Sequence, residues 1–155
     1  MGNTIMKAFL HTPADITLRV IVAFFFSGIV ILAILAPLTQ AINGYPSGEG
    51  IYSLFSPVCH QYPLRSLWIL DRPCALCARC ISGYTGIVFA AVFIRPHKSY
   101  RVRALLGFVF LSLAVIDPII QLLTPYESTN VVRILTGLLG GCGTFLIIYP
   151  QIGRT

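Results

Sequence analysis

The chain has 155 residues, of which 56% are hydrophobic and only 10% are charged, and its formal net charge is +6. Ordinary soluble domains carry about 25% charged residues, so this chain has too little charge to cover a water-exposed surface. The apolar residues form long blocks, which indicates one domain of packed helices surrounded by a lipid bilayer. The basic residues are dispersed and no nucleic-acid-binding motif is present, so we expect no nucleic acid partner.

The apolar blocks predict an all-α integral membrane protein with a four-helix transmembrane bundle. The predicted spans cover residues 20–42, 77–94, 104–123 and 131–149. At about 1.5 Å per residue, such segments can cross a hydrocarbon core roughly 30 Å thick. The second span does so only if it begins near Cys77 and carries Arg79 into the headgroup zone. The first block is long for a signal peptide and has no clear cleavage site, so we expect a retained anchor.

The distribution of basic residues predicts the orientation of these spans. The short link between the second and third spans is rich in Lys and Arg and should therefore stay cytoplasmic. The basic residues assigned to the cytoplasmic side are Lys7, Arg19, Arg95, Lys98, Arg101, Arg103 and Arg154, against Arg65, Arg72, Arg79 and Arg133 on the other side. Both termini would then be cytoplasmic in the inner membrane of the cell, and the loop 43–76 would be extracytoplasmic.

Glycines are concentrated on the fourth span. Gly137 and Gly141 have the G-x-x-x-G spacing, and Gly140 and Gly143 lie beside them. This spacing allows two helix backbones to approach closely. Packing inside the bundle is the expected use of this face, and a homodimer interface is the alternative. Cys142 is expected to be a small buried residue.

Four of the five cysteines lie in or next to the predicted extracytoplasmic loop. They are Cys59, Cys74, Cys77 and Cys80, and His60 follows Cys59 directly. In a helical or tightly turned segment the last three sulfurs would share one side, and Cys59 or His60 could complete a tetrahedral site for zinc or hold an iron centre. Two disulfides in an oxidising compartment, or a reactive thiol, are the alternatives that the same C-x-x-C spacing permits.

Asp117 is the single charge inside the third span. It lies about 9 Å from the predicted outer end of the helix, where an unpaired carboxylate costs roughly 3 kcal/mol, and so it needs a partner or a proton. Arg79 and Arg133 begin the second and fourth spans on the same side, so either could reach it. A structural ion pair is one interpretation, and a substrate or proton site is the other.

Several kinds of chemistry have no support in the sequence. The three histidines, His11, His60 and His97, all lie outside the middle of any span, which argues against a bis-histidine haem or a His-ligated chlorin in the bundle. The chain has no Walker loop and no G-x-S-x-G or H-E-x-x-H motif, so phosphoryl transfer and the common hydrolase reactions are not indicated.

Ordered polar motifs lie between Cys59 and about Gly141. They are Cys59-His60-Gln61, Arg65-Ser66, Cys77-Ala78-Arg79-Cys80, Tyr84, Gly86, Asp117, Gln121, Ser128-Thr129-Asn130, Arg133, Thr136 and Gly137. These motifs resemble a family of small prokaryotic membrane proteins known as domain of unknown function 2085. The chain departs from the family pattern at Ile81-Ser82, at Pro118 and in the additional Cys74. The resemblance implies that the cysteines, Arg79, Asp117, Asn130 and Arg133 form one site, but it implies no reaction.

Three hypotheses for the function follow. The preferred one is a membrane module with a metal- or disulfide-stabilised Cys/His site at the outer face that binds a partner or small ligand. The polar residues expected beneath that site are Arg65, Arg79, Asp117, Asn130 and Arg133. The second is an enzyme that uses thiol redox exchange or a metal-bound water. The third is an accessory subunit of a larger respiratory or photosynthetic membrane complex.

Overall fold

The computed structural model describes residues 13–94 and 99–149, and these residues are mostly helical. The elements in chain order are helix α1 (Pro13–Asn43), helix α2 (Glu49–Phe55), a 3-10 turn (Pro63–Arg65), strands β1 (Ser66–Ile69) and β2 (Arg72–Cys77), and helices α3 (Ala78–Phe93), α4 (Tyr100–Leu123) and α5 (Asn130–Ile148). Six residues used in the sequence predictions lie outside the described residues: Lys7, His11, Arg95, His97, Lys98 and Arg154.

Three of the described helices are long and apolar enough to cross a membrane. They are the segment Asp15–Asn43 of α1, all of α4 and all of α5. The fourth apolar helix, α3, has only 16 residues. The helix boundaries agree with the predicted apolar blocks to within a few residues for the last three blocks, and α1 begins earlier than expected.

The helices pack in the spatial order α1, α3, α5, α4, so that each inner helix lies between two neighbours. Arg79 at the start of α3 contacts Asp117 near the end of α4, and Ser82 of α3 contacts Arg133 near the start of α5. The starts of α3 and α5 therefore lie at the same end of the bundle as the end of α4. We call this the cysteine end, since Cys77 and Cys80 flank the start of α3. The sequence likewise predicts that Cys77 and Cys80 lie together at one membrane face.

Glycines bring α3, α4 and α5 into backbone contact. A Cβ atom added at Gly137 would lie 2.6 Å from the carbonyl oxygen of Arg79, and one added at Gly141 would lie 2.9 Å from the amide nitrogen of Ile87. On the other side of α5, a Cβ at Gly143 would lie 2.8 Å from the carbonyl oxygen of Gly107. The prediction that this face packs inside the bundle is therefore confirmed.

The segment 43–76 is not the simple loop that the sequence predicted. It contains α2 and an antiparallel β-hairpin in which Ser66 pairs with Cys77 and Ile69 pairs with Arg72. The all-α prediction was thus incomplete. Leu70 and Asp71 form the hairpin turn with φ values of 50° and 59°, and two positive φ values are typical of the primed turns that match strand twist.

The hairpin is attached to the bundle by its second strand. Cys74, Ala75 and Leu76 of β2 are buried, and they share an apolar cluster with Ala33 and Ala36 of α1. Small alanines on α1 let the strand lie close to the helix, so the hairpin covers the cysteine end instead of extending away from it.

Two arginines at the opposite end cap neighbouring helices. Arg19 donates hydrogen bonds to the carbonyl oxygens of Ala91 and Ile94 at the end of α3, both at 2.7 Å. Arg103 donates to the carbonyl oxygen of Tyr149 after α5 at 3.1 Å. The last carbonyls of a helix have no partner within the helix, so these contacts satisfy groups that would otherwise be costly to bury. Both arginines are buried, and they therefore have a structural role in addition to their charge.

Replacing Gly141 by Ala should destabilise the bundle by about 1–3 kcal/mol, because the added methyl group meets backbone atoms of α3 that cannot move independently. Unfolding in detergent, followed by circular dichroism, measures the change. Gly28→Ala is the matched control, since a Cβ at Gly28 meets nothing within 4 Å. Equal stability of the two variants would contradict the packing described here.

Candidate metal and arginine site

Three cysteine sulfurs come together at the cysteine end. The sulfur atoms of Cys59, Cys77 and Cys80 all lie within 4.8 Å of one another. Cys59 is buried, and the other two are partly buried. This three-cysteine cluster joins the chain limb after α2 to the end of β2 and to the first turn of α3. Two segments, the one after α2 and the continuous stretch from β2 into α3, must therefore come together before the cluster exists.

The start of α3 explains the positions of Cys77 and Cys80. Cys77 is the N-cap residue, with φ −67° and ψ 160°, and Cys80 follows three residues later in the first helical turn. The positive end of the helix dipole lies at the N-terminus of a helix. The C-x-x-C spacing thus places two sulfurs together at this end of α3.

Backbone and amide hydrogen bonds hold Cys59 in position. The Cys77 amide donates a hydrogen bond to the sulfur of Cys59 at 3.2 Å. The side chain of Gln61, whose φ is 52°, donates to the carbonyl oxygens of Tyr52 at 2.7 Å and Ala75 at 2.9 Å. Gln61 therefore connects the segment that contains Cys59 to both α2 and the hairpin through hydrogen bonds.

The cluster strongly favours a thiolate at Cys59. Hydrogen bonds from the thiols of Cys77 and Cys80 lower the pKa of Cys59 well below its usual range, and backbone hydrogen bonds from Cys77 and Gln61 act in the same direction. Burial opposes this effect but is outweighed. A thiolate surrounded by two further sulfurs is the form in which cysteine binds metal ions.

Two predicted ligands lie outside the three-cysteine cluster. Cys74 belongs to an extended strand, where side chains alternate between faces, so residues three apart point in opposite directions. It is buried in the apolar core instead, and this burial raises its pKa. His60 is exposed and its ring stacks on Tyr62 with centroids 5.9 Å apart.

All five cysteines are free thiols in the structure. The disulfide alternative would need pairs among Cys59, Cys74, Cys77 and Cys80, and no such bond is formed. Cys142 is buried on α5 and donates to the carbonyl oxygen of Gly86 at 3.4 Å. This contact fits the expected role of a small buried residue.

Arg79 links the three-cysteine cluster to the polar residues of α4. Its guanidinium forms an ion pair with Asp117, which is 8% exposed at the side chain. It also donates to Gln121 at 3.3 Å and to Ser128 at 3.5 Å. The partner that Asp117 needed is thus Arg79. The guanidinium of this pair belongs to the residue directly before Cys80, at the start of α3.

Arg133 is the most buried of the arginines at the cysteine end, with an exposed fraction of 4%. It donates to Asn130 Oδ1 at 3.0 Å and to the carbonyl oxygen of Leu64 at 3.4 Å, while Asn130 donates to the carbonyl oxygen of Ser66 at 3.3 Å. Both of these acceptors are neutral, and its Nε atom has no hydrogen-bond partner among the residues that the structure describes. A buried cation with neutral partners is costly, so negative charge is expected nearby.

Arg65 completes a group of three arginines. It pairs with Glu127 at 3.3 Å, and both side chains are substantially exposed, at 42% and 66%. Its guanidinium carbon also lies 5.6 Å from the ring centroid of Tyr62. Glu127 and Tyr62 were absent from the sequence-based site. Glu127 could have been suspected, because it is one of only five acidic residues and lies between the last two spans.

A cavity of about 340 Å³ opens directly onto these groups. Its lining includes all three cysteines of the cluster and all three arginines: Cys59, Cys77, Cys80, Arg65, Arg79 and Arg133. His60, Gln61 and Tyr62 complete the polar part of the wall. The three cysteines and the three arginines therefore line the same cavity.

The fold and the site define a helical membrane protein with a three-cysteine cluster and an arginine-lined cavity at one end. The chain belongs to the family described as predicted membrane protein, domain of unknown function 2085, whose profile matches residues 59–147. The matched region begins at Cys59 and contains the hairpin and helices α3, α4 and α5, whereas α1 lies outside it.

Two archaeal relatives are similar to this chain, and both are named only as uncharacterised proteins. One, from Methanocaldococcus jannaschii, is 33% identical over 110 residues, which cover 64% of this chain and 67% of the relative. The other, from Methanothermobacter thermautotrophicus, is 33% identical over 91 residues, which cover 57% of this chain and 82% of the relative. No solved structure matches the chain.

Replacing Asp117 by Asn should lower the stability of the protein by roughly 3 kcal/mol, because the guanidinium of Arg79 loses its carboxylate partner in a mostly buried position. Thermal unfolding in detergent measures this loss. The matched control is Glu127→Gln, which removes a carboxylate from an exposed pair and should change stability by less than about 1 kcal/mol. A fully stable Asp117→Asn protein would argue that the carboxylate serves function alone.

Proposed function

We propose that this protein is a multi-pass membrane metalloprotein that holds one zinc ion through Cys59, Cys77 and Cys80 and binds a small ligand at the open fourth position. The observation that carries the proposal is the approach of three sulfurs within 4.8 Å at a cavity wall. Three protein ligands with one open position are the arrangement of catalytic and ligand-binding zinc sites, whereas structural sites use four.

The spacing of the sulfurs fits a tetrahedral ion. Zinc–sulfur bonds of about 2.3 Å place tetrahedral sulfurs roughly 3.8 Å apart. The cluster lies within 4.8 Å before any ion is bound, so small side-chain rotations are enough to close the site. A fourth ligand can come from the cavity, whose wall includes all three cysteines.

Zinc is favoured over an iron centre by the number of sulfurs. Iron–sulfur clusters are usually held by four cysteine thiolates, and the group found among the described residues contains three. Cys74 does not supply the fourth, because it belongs to the apolar core between β2 and α1. An iron ion bound by the same three thiolates remains compatible with the donor set and is distinguished by metal analysis.

The charges around the cavity support a metal–thiolate site. Three thiolates and one divalent cation carry one net negative charge, and Arg133 is a buried cation whose hydrogen-bond acceptors are neutral. Arg79 and Arg65 already have carboxylate partners in Asp117 and Glu127. The metal–thiolate group would therefore compensate the charge of Arg133 across the cavity.

Thiol–disulfide exchange is the second candidate function. It is favoured by the position of Cys77 and Cys80 at the start of α3, because a C-x-x-C pair at a helix N-terminus often contains a reactive thiolate. Reversible formation of a Cys77–Cys80 disulfide would require an external dithiol or disulfide partner. A protein that binds no metal and cycles between dithiol and disulfide forms would support this alternative.

Purified protein should contain about one zinc per chain, and removal of the ion should expose three thiols that were protected before chelation. Cys77→Ser should reduce the zinc content to near zero. Cys74→Ser is the matched control, since Cys74 is equally part of the hairpin but lies outside the three-cysteine cluster. Metal analysis and thiol titration are the measurements, and equal zinc loss in both variants would contradict the proposed ligand set.

We further propose that α3 crosses the bilayer as the shortest of four spans and that the cysteine end faces away from the cytoplasm. The three long apolar helices and the packing of α3 between α1 and α5 support this topology. Arg101, which is exposed at the opposite end, and the buried Arg103 contribute to the cytoplasmic charge that favours the orientation. The cavity would then open toward the cell exterior.

A cysteine introduced at the hairpin turn by Asp71→Cys should react with a membrane-impermeant maleimide in intact cells, because this residue is exposed at the cysteine end. Arg101→Cys at the other end should react only after the membrane is permeabilised. The unsubstituted protein gives the background from native cysteines. Labelling of the Arg101→Cys variant alone in intact cells would reverse the proposed orientation.

A further inference from the structure

The cavity at the cysteine end contains an excess of hydrogen-bond donors. Arg65, Arg79 and Arg133 all line it, and their guanidinium groups can only donate. Within residues 13–94 and 99–149, the buried Nε atoms of Arg79 and Arg133 find no hydrogen-bond partner. A ligand that brings acceptor oxygens to the terminal guanidinium nitrogens would satisfy part of this excess.

The two carboxylates near the cavity differ in how firmly they are held. Asp117 is 8% exposed and is bound by Arg79, so it is a fixed part of the bundle. Glu127 is 66% exposed at its side chain, and it contacts Arg65 at 3.3 Å, so the free energy of that pair is small. Glu127 can therefore leave Arg65 and enter water at little cost, whereas Asp117 cannot leave Arg79 in the same way.

We propose that the cavity binds a small monoanion with carboxylate-like or phosphate-like oxygens between Arg65 and Arg133, and that the anion displaces Glu127 from Arg65. The inference rests on the proposed metal site, because the metal–thiolate group would supply one negative charge to the cavity wall. When Glu127 turns to solvent, the positive charges of Arg65 and Arg133 balance one negative charge from the metal–thiolate group and one from the ligand. A neutral ligand would leave one positive charge uncompensated.

The geometry gives the two arginines different roles. Arg133 is buried and fixed by Asn130 and Leu64, so it provides a rigid donor inside the cavity. Arg65 is partly exposed and supported by the face of Tyr62, so it can move with the ligand at the entrance. Arginine is suited to such a site because its planar group binds two oxygens of one anion at once.

Such anionic oxygens have two possible sources at a membrane surface, a dissolved anion and the headgroup of an anionic lipid. The probe is radiolabelled inorganic phosphate at mildly acidic pH, where it is mostly a monoanion, with acetate as a competitor. Binding is measured by equilibrium dialysis on zinc-analysed protein in nanodiscs of zwitterionic lipid, and again in nanodiscs that contain phosphatidylglycerol. Weaker phosphate binding in the anionic nanodiscs identifies the lipid headgroup as the source, and equal binding identifies the dissolved anion.

Arg133→Gln and Arg65→Gln should each weaken phosphate binding about tenfold or more, because each removes a charged hydrogen-bond donor. Glu127→Gln should strengthen binding severalfold, since the displaced competitor is gone. Arg72→Gln, an exposed hairpin arginine outside the cavity, is the control and should bind as the unsubstituted protein does. The opposite signs expected for Arg65→Gln and Glu127→Gln separate anion binding from a general loss of folding.

The anion proposal and the metal proposal fail in distinguishable ways. Zinc-loaded protein that binds phosphate in neither lipid, or that binds it equally well in the Arg65→Gln and Arg133→Gln variants, overturns the anion site and leaves the metal site intact. Protein that lacks zinc but shows the arginine-dependent binding overturns the metal site and supports the anion site. If Arg133→Gln does not accumulate, Arg65→Gln and Glu127→Gln still decide the result.

Discussion

The close backbone approach of α3 and α5 is the constraint on which the rest of the structure depends. Gly137 and Gly141 leave no side chain between the two helices, so carbonyl oxygens of α3 lie where a methyl group would otherwise be. Ser82 strengthens the same contact by donating to the carbonyl oxygen of Arg133 at 3.3 Å. The contact fixes the starts of both helices at the same level, and hence Arg79 and Arg133 reach a common cavity.

The site is assembled from segments that are far apart in the sequence. Cys59 comes from the limb after α2, Cys77 ends the hairpin and Cys80 lies in α3. The surrounding polar residues come from α4, from α5 and from the segment between these helices. Several buried polar groups at this end have partners on another element, as in the Arg79–Asp117 pair and the contact of Asn130 with Ser66. Folding of the bundle and formation of the site are therefore one process.

Much of the fold could be predicted because hydropathy in a membrane protein is a strong signal. The apolar blocks gave the helix positions, the single charge at Asp117 required a partner, and the glycine spacing indicated close packing. The family resemblance also placed the matched region correctly, from Cys59 onward. These inferences depend only on local sequence and on the solvent in which the segments lie.

The remaining features could not be predicted because they depend on secondary structure or on distant partners. Leu70-Asp71 is not a typical turn dipeptide, so the hairpin gave no local signal. Without knowledge of the strand, the spacing of the cysteines could not show that Cys74 lies in the apolar core. Arg19 was interpreted as a topology signal, although it donates to two carbonyl oxygens more than 70 positions away. Its role as a helix cap appears only when the helices are packed.

The length of α3 has a consequence for the lipid around the protein. Its 16 residues span only about 24 Å, which is less than a typical hydrocarbon core. If α3 crosses the bilayer as proposed, the exposed Phe89, Val92 and Phe93 on its outer surface meet acyl chains that must shorten or tilt locally. The protein would then favour thin membrane regions, and bilayer thickness itself would influence where in the membrane it accumulates.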